Sequence, residues 1–244
     1  MKDLQTAHDQ GQPVIIQSAE GAQFVEGHLE RVEESYKRGL RCLQLVHEQN
    51  DLVSPLGDAY TNTPRLGGLT PFGAQVIKEC NRLGIVVDLT HVTFDGVKAA
   101  LKVATQPLLY SHTSLMLGSA GSGISADMLR RMFTKEEARA VADAGGVIGI
   151  WWRGVNSTKE YVAGIRYMVD AVGVDHVGIG TDTDLTLVNG SLPYTNGIWE
   201  DQDAGFFYAI AGEMLRQGFT PDEIGRIGGG NFCRVFAKVT EGRS

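Results

Sequence analysis

Short apolar runs recur along the chain at 13–19, 41–46, 84–90, 107–111, 146–152 and 175–181. Most are β-branched or Leu-rich and apolar at consecutive positions, the pattern of strands buried on both faces of a parallel sheet. Longer segments with helix start and stop signals lie between them. Thr70-Pro71 offers an N-cap followed by Pro at the first helical position, and Thr134 stands three residues before Glu137 in a capping-box spacing. The glycines after EEARAVADA end that second helix, and Thr220-Pro221-Asp222-Glu223 repeats both start devices. Alternation of strand and helix predicts an α/β fold built on a parallel sheet.

Five of the runs lead directly into a group able to bind a metal or move a proton: Glu20, His47, His91, His112 and Asp182. In a parallel barrel the strand ends share one rim, where the reactive loops sit. The chain has 244 residues, 43% of them hydrophobic, and about 250 residues is the usual size of one (β/α)8 barrel. The expectation is therefore a single TIM-like (β/α)8 barrel domain over residues 1–244. Six runs fall short of eight strands, and the Gly-, Pro-, Asn- and Asp-rich segments 48–68 and 185–205 alternate poorly. An incomplete barrel whose first units are missing follows.

Composition narrows the chemistry. A formal charge of -7, with no Lys/Arg block, argues against nucleic acid as a partner. Cys42, Cys80 and Cys233 are scattered without a CxxC, so neither a disulfide framework nor a thiolate metal site is indicated, and the cytoplasm is the default location. The apolar runs are far shorter than a membrane span, and the polar start MKDLQTAHDQGQ has no signal-peptide pattern.

Several longer strings now add up. GGLTPFGAQVIKECNRLGIVVDLTHVT, PLLYSHTS, GGVIGIWW, GVDHVGIGTDTD and LRQGFTPDEIGRIGGGNFCRVF occur in that order, with His91 and His112 twenty-one residues apart. From about Val14 to Val239 the chain resembles the renal (membrane) dipeptidase family of zinc hydrolases. The resemblance implies a TIM-like barrel with two zinc ions that cleaves dipeptides and sometimes related amides. It further implies that Glu20 bridges the metals, that His91 and His112 complete the second metal site, and that His47 steadies the substrate's oxyanion. Asp182 resembles the carboxylate that handles the proton of the attacking water and the leaving amine. Arg131 resembles the arginine that grips the substrate's terminal carboxylate, a role suited to a planar fork.

Departures from the family pattern matter as much. The first metal site of the family uses a His-x-Asp motif upstream of the bridging Glu, and no such motif precedes Glu20. His8-Asp9 is adjacent rather than spaced, and reads as a solvated helix face. The chain is thus expected to be an N-terminally shortened family member. Arg130 stands beside Arg131-Met132, and Leu185 follows Asp184 where the family commonly has Gly. Two other readings stay open: a non-catalytic truncated barrel, and a sister amidohydrolase acting on non-peptide amides. Besides a dipeptide, a second copy covering the open edge, as in a homodimer, is the expected partner. Simpler roles also compete: Asp182 as a helix N-cap, Asp88 as a structural group, His28 and His176 as surface residues, and Trp151 and Trp152 as barrel plugs.

Overall fold

The structure is a computed structural model that describes residues 2–47, 55–115, 129–183 and 205–242. Two compact units emerge: Met1–Tyr110, Asp143–Gly146 and Phe232–Ser244 form the first, Ser111–Ala142 and Val147–Asn231 the second.

The first unit runs α1 (Lys2–Asp9), β1 (Gln17–Ala19), α2 (Glu30–Lys37), β2 (Leu40–Gln44), α3 (Pro71–Leu83), β3 (Val86–Asp88), α4 (Phe94–Val103) and the start of β4 (Leu109–Leu115). β1 pairs with β2, β2 with β3 and β3 with β4, all parallel, with Ser18 opposite Cys42, Cys42 opposite Val86 and Asp88 opposite Leu109. Sequence dictates each turn of α3. Thr70 Oγ1 accepts the Gly73 N–H at 3.0 Å, Pro71 sets the first helical position, and Gly84 at φ 83° ends the helix in a left-handed turn. Val76, Ile77, Cys80 and Leu83 then form its buried face. In β2 the residues Leu40, Cys42, Leu43 and Gln44 are all buried, as a strand covered on both faces requires. Burial, reinforced by the charge of Asp88, pushes the Cys42 thiol up to about 12. At 4% exposure the side chain packs as a small apolar group.

The second unit holds the rest of β4, then β5 (Met132–Phe133), most of α5 (Lys135–Asp143), β6 (Val147–Ile150), α6 (Thr158–Val172), β7 (Val177–Ile179), α7 (Phe206–Arg216) and α8 (Pro221–Gly225). A π-turn, Arg226–Gly230, leads into α9 (Asn231–Thr240), which returns to the first unit. β5 pairs parallel with β4, and β6 with β7. The Trp151 N–H donates to the Thr113 carbonyl at 2.7 Å, so the end of β6 is tied to β4. Gly149 and Gly180 permit close approach here, since a Cβ at either would stand 1.9 or 1.8 Å from the Ser111 carbonyl oxygen. Thr134 with Glu137 and Thr220 with Glu223 both form the reciprocal bonds of a capping box.

The fold is α/β with a parallel sheet, as the sequence predicts. All six apolar runs become strands, most of them shorter than the run, while β4 continues past its run to Leu115 and so takes in His112. Over 13–19 only Gln17–Ala19 is strand, and Val14 and Ile15 are exposed. The seventh strand, β5, matches none of the apolar runs, because two residues carry no readable alternation. Most of the segments suspected of hiding strands lies outside the described residues. Between 55 and 68 there are only isolated bridges, from Gly57 to Leu69 and from Ala59 to Val92. His8 and Asp9 lie on an exposed face of α1. Among the described residues no helix is long and apolar enough to cross a membrane.

Candidate metal centre

β1, β2 and β3 are adjacent and parallel, so the residues immediately beyond their C-terminal ends emerge along one edge of the first unit. Glu20 comes directly after β1, His47 lies three residues beyond β2, and His91 lies three beyond β3. The three side chains meet there. His91 Nε2 is 3.3 Å and His47 Nε2 3.6 Å from the same oxygen, Glu20 Oε1. One ligand atom from each of the three lies within 4.8 Å of the others. Two ligands at about 2.0–2.1 Å from a tetrahedral zinc are separated by about 3.3 Å, so the observed spacing suits such an ion. The donor set of one carboxylate and two imidazoles suits it too.

Several contacts fix the central imidazole. His91 is 2% exposed and stands at φ 71°, a left-handed conformation uncommon outside glycine. Its ring meets His47 edge-on, with centroids 4.8 Å apart, and stacks on Tyr60 at 5.2 Å. The Tyr60 N–H donates to the His91 carbonyl at 2.9 Å. The turn before His91 is held by Asp88, which accepts the Thr90 N–H at 3.0 Å and the Thr90 hydroxyl at 2.8 Å. Gln44 donates its side-chain N–H to the Thr90 carbonyl at 3.0 Å.

Asp58 organises the loop that brings Tyr60 to this place. Its buried carboxylate accepts the backbone N–H groups of Arg65 at 2.8 Å, of Leu66 at 2.9 Å and of Gly68 at 2.9 Å. Its own carbonyl accepts the Thr93 N–H at 2.9 Å, just beyond His91. Burial by itself raises this carboxyl, yet the bonds from Arg65, Gly68 and Leu66 and the charge of Arg65 together hold it below the usual carboxylate range. Neither Asp58 nor Tyr60 carried a readable signal, since both fall in the irregular stretch between strands.

The second unit holds the remaining residues singled out in the sequence. His112, on β4, is 8% exposed; its Nδ1 lies 3.0 Å from Ser111 Oγ and its ring 5.8 Å from that of Trp151. Asp182 lies just past β7 at φ 50°, and a carboxylate oxygen of it lies within 4.8 Å of a His112 ring nitrogen. Arg131 is half-buried just before β5, where its carbonyl accepts the Thr113 hydroxyl at 2.7 Å, while Arg130 is exposed. Trp151 is buried and Trp152 half-buried. Asp184 and Leu185 lie outside the described residues.

Compared with known proteins, residues 1–244 match the profile of "Membrane dipeptidase (Peptidase family M19)". The chain belongs to the membrane dipeptidase family. Family relatives include "Dipeptidase verJ" of Clonostachys rogersoniana, 29% identical over 84% of this chain and 50% of that protein. "Dipeptidase tcpJ" of Claviceps purpurea is 25% identical over 98% of this chain and 54% of its own length. The chain thus spans about half the length of the curated dipeptidases it matches. An amidohydrolase from Pseudomonas aeruginosa superposes with a TM-score of 0.81 at 25% identity, covering 98% of this chain and 76% of that one. A metallo peptidase from Rhodobacter sphaeroides, liganded with a phosphinate mimic of the dipeptide L-Ala-D-Ala, shares the fold with a TM-score of 0.77 at 21% identity, over 98% of this chain and 67% of its own.

Proposed function

We propose that this chain is a metal-dependent dipeptidase, with Glu20, His91 and His112 as metal ligands and zinc as the metal. The carrying observation is the approach of the His91 ring to the Glu20 carboxylate at 3.3 Å, at the end of adjacent parallel strands, within a chain of the membrane dipeptidase family. Glu20, His91 and His112 would hold a zinc-type ion, which would bring the pKa of a bound water down to about 7 and polarise a carbonyl. The chain's own residues do the rest. His47 donates a ring N–H to the substrate's carbonyl oxygen as negative charge builds on it, a contribution of the kind worth about 2.7–4 kcal/mol. Asp182 accepts the proton of the attacking water and delivers it to the departing amine. Arg131 pairs its planar guanidinium with the terminal carboxylate of the dipeptide. Two free amino acids leave.

A panel of dipeptides, with released amino acids followed by chromatography and bound zinc by elemental analysis, tests this reading. Release by the zinc-loaded chain and its loss after chelation are expected. A protein that stays metal-free and inert after zinc addition rejects the proposal.

A further inference from the structure

We infer that the second unit carries a binding site for a free α-amino acid with an apolar side chain, in a cavity lined by α6 and by the ends of β4, β5 and β6. The cavity measures about 150 Å3, roughly the volume that holds one benzene ring in a protein interior. One Leu or Phe side chain fills it; a whole dipeptide does not. The floor is apolar, since Leu115, Ile150, Trp151 and Tyr161 all line it and none is more than 5% exposed. The Tyr161 hydroxyl already donates to the Ile150 carbonyl at 2.6 Å. One helix position keeps the cavity open. Gly164 lines it in the middle of α6, where a Cβ would meet nothing beyond its own helix backbone within 4 Å. Glycine is the poorest helix former after proline, and no close packing demands it here, so what it preserves is the open space.

The polar groups define the head of the ligand. Among the described lining residues Arg153 and Glu160 are the two that carry charge, one of each sign. The Arg153 guanidinium lies 5.1 Å over the Trp151 ring, and the buried indole N–H of Trp151 has no acceptor among the described residues. A carboxylate placed there accepts from both donors together. The Glu160 carboxylate accepts the Asn156 N–H at 2.7 Å and keeps further lone pairs for an ammonium group. An anion alone meets the like charge of Glu160, and a hydrocarbon alone leaves the indole N–H without an acceptor; a zwitterion with an apolar tail satisfies both ends. Apolar α-amino acids have that form, and the reaction proposed above releases α-amino acids. The inference goes beyond that reading and does not depend on it, because neither a metal nor a peptide bond takes part.

Isothermal titration of the full chain, with a chelator present so that no amino acid is held through a metal, tests this with leucine, phenylalanine, alanine, 4-methylpentanoate and 3-methylbutylamine. Leucine and phenylalanine are expected to bind at one site per chain and to shift tryptophan fluorescence. Alanine is expected to bind at least tenfold more weakly, because a methyl group leaves the cavity unfilled. The same weakening is expected for the other two probes, which lack the ammonium and the carboxylate respectively. Gly164→Leu fills the cavity from α6 and is expected to abolish leucine binding while unfolding no earlier than wild type. Glu160→Gln, at an exposed position that keeps an acceptor for Asn156, is expected to weaken leucine to the level of 4-methylpentanoate. Absence of leucine and phenylalanine binding, or leucine binding unchanged in either variant, overturns the inference. Alanine, 4-methylpentanoate or 3-methylbutylamine binding as tightly as leucine overturns it equally, since the apolar tail and both charged ends are then not what the cavity reads.

Discussion

Replacing Asp58 tests how the loop over His91 is built. In Asp58→Ala the backbone N–H groups of Arg65, Leu66 and Gly68 lose their acceptor. An unsatisfied buried donor costs about 1–3 kcal/mol, and the two that are only part-buried regain some of this from water, so a loss of about 3 kcal/mol is expected. Asp58→Asn keeps one acceptor oxygen but turns an NH2 toward donors, and a loss of about 2 kcal/mol follows. For a chain of this size such losses lower the melting temperature by about 4–12 °C. Urea unfolding at pH 7, followed by circular dichroism, measures the difference directly. The pH dependence has a definite sign. Because the folded carboxyl lies below its ordinary value, its contribution is fully present above the unfolded pKa of about 3.9 and is lost as pH falls through the lower folded value. The gap between wild type and Asp58→Asn is thus full at neutral pH and closes in acid below about pH 4. An Asp58→Ala protein within about 0.5 kcal/mol of wild type at pH 7 would show that water replaces the carboxylate, and would refute the reasoning.

Three further outcomes are expected. Gly180→Ala places a Cβ 1.8 Å from the Ser111 carbonyl, so backbone must move and stability falls by about 3 kcal/mol or more, measurable by denaturant unfolding. Tyr161→Phe removes a 2.6 Å bond from the phenol to the Ile150 carbonyl; because that carbonyl also accepts the Gly180 N–H, the loss is held to about 1 kcal/mol in the same assay. Removing the cation with a chelator lowers the melting temperature, and restoring zinc at a hundredfold excess over its dissociation constant returns about 2.7 kcal/mol, read by a thermal shift titration.

The strands were legible because burial on both faces leaves uninterrupted apolar runs, and the helices because Thr70, Thr134 and Thr220 carry cap chemistry within four residues. Their lengths were not. Leu89 and Thr90 are buried beyond the end of β3, so the apolar signal outlasts the strand pairing. β5 is set by pairing with β4 across a sequence gap, which two residues cannot announce. At the site, residue type and position after a strand mark Glu20, His47 and His91, but which imidazole faces which oxygen depends on the order of strands in the sheet. Asp58 was hidden for the opposite reason: an acid in an irregular stretch resembles any solvated loop residue, and only the fold reveals three backbone donors pointing at it.

On the proposed reading, the left-handed backbone at His91 and Asp182 sets reactivity against heat tolerance. Such conformations cost L-residues about 1 kcal/mol or more, and glycine adopts them freely. Laboratory evolution that rewards thermal survival alone should therefore drift toward glycine at both positions, yielding sturdier proteins that have discarded an imidazole and a carboxylate.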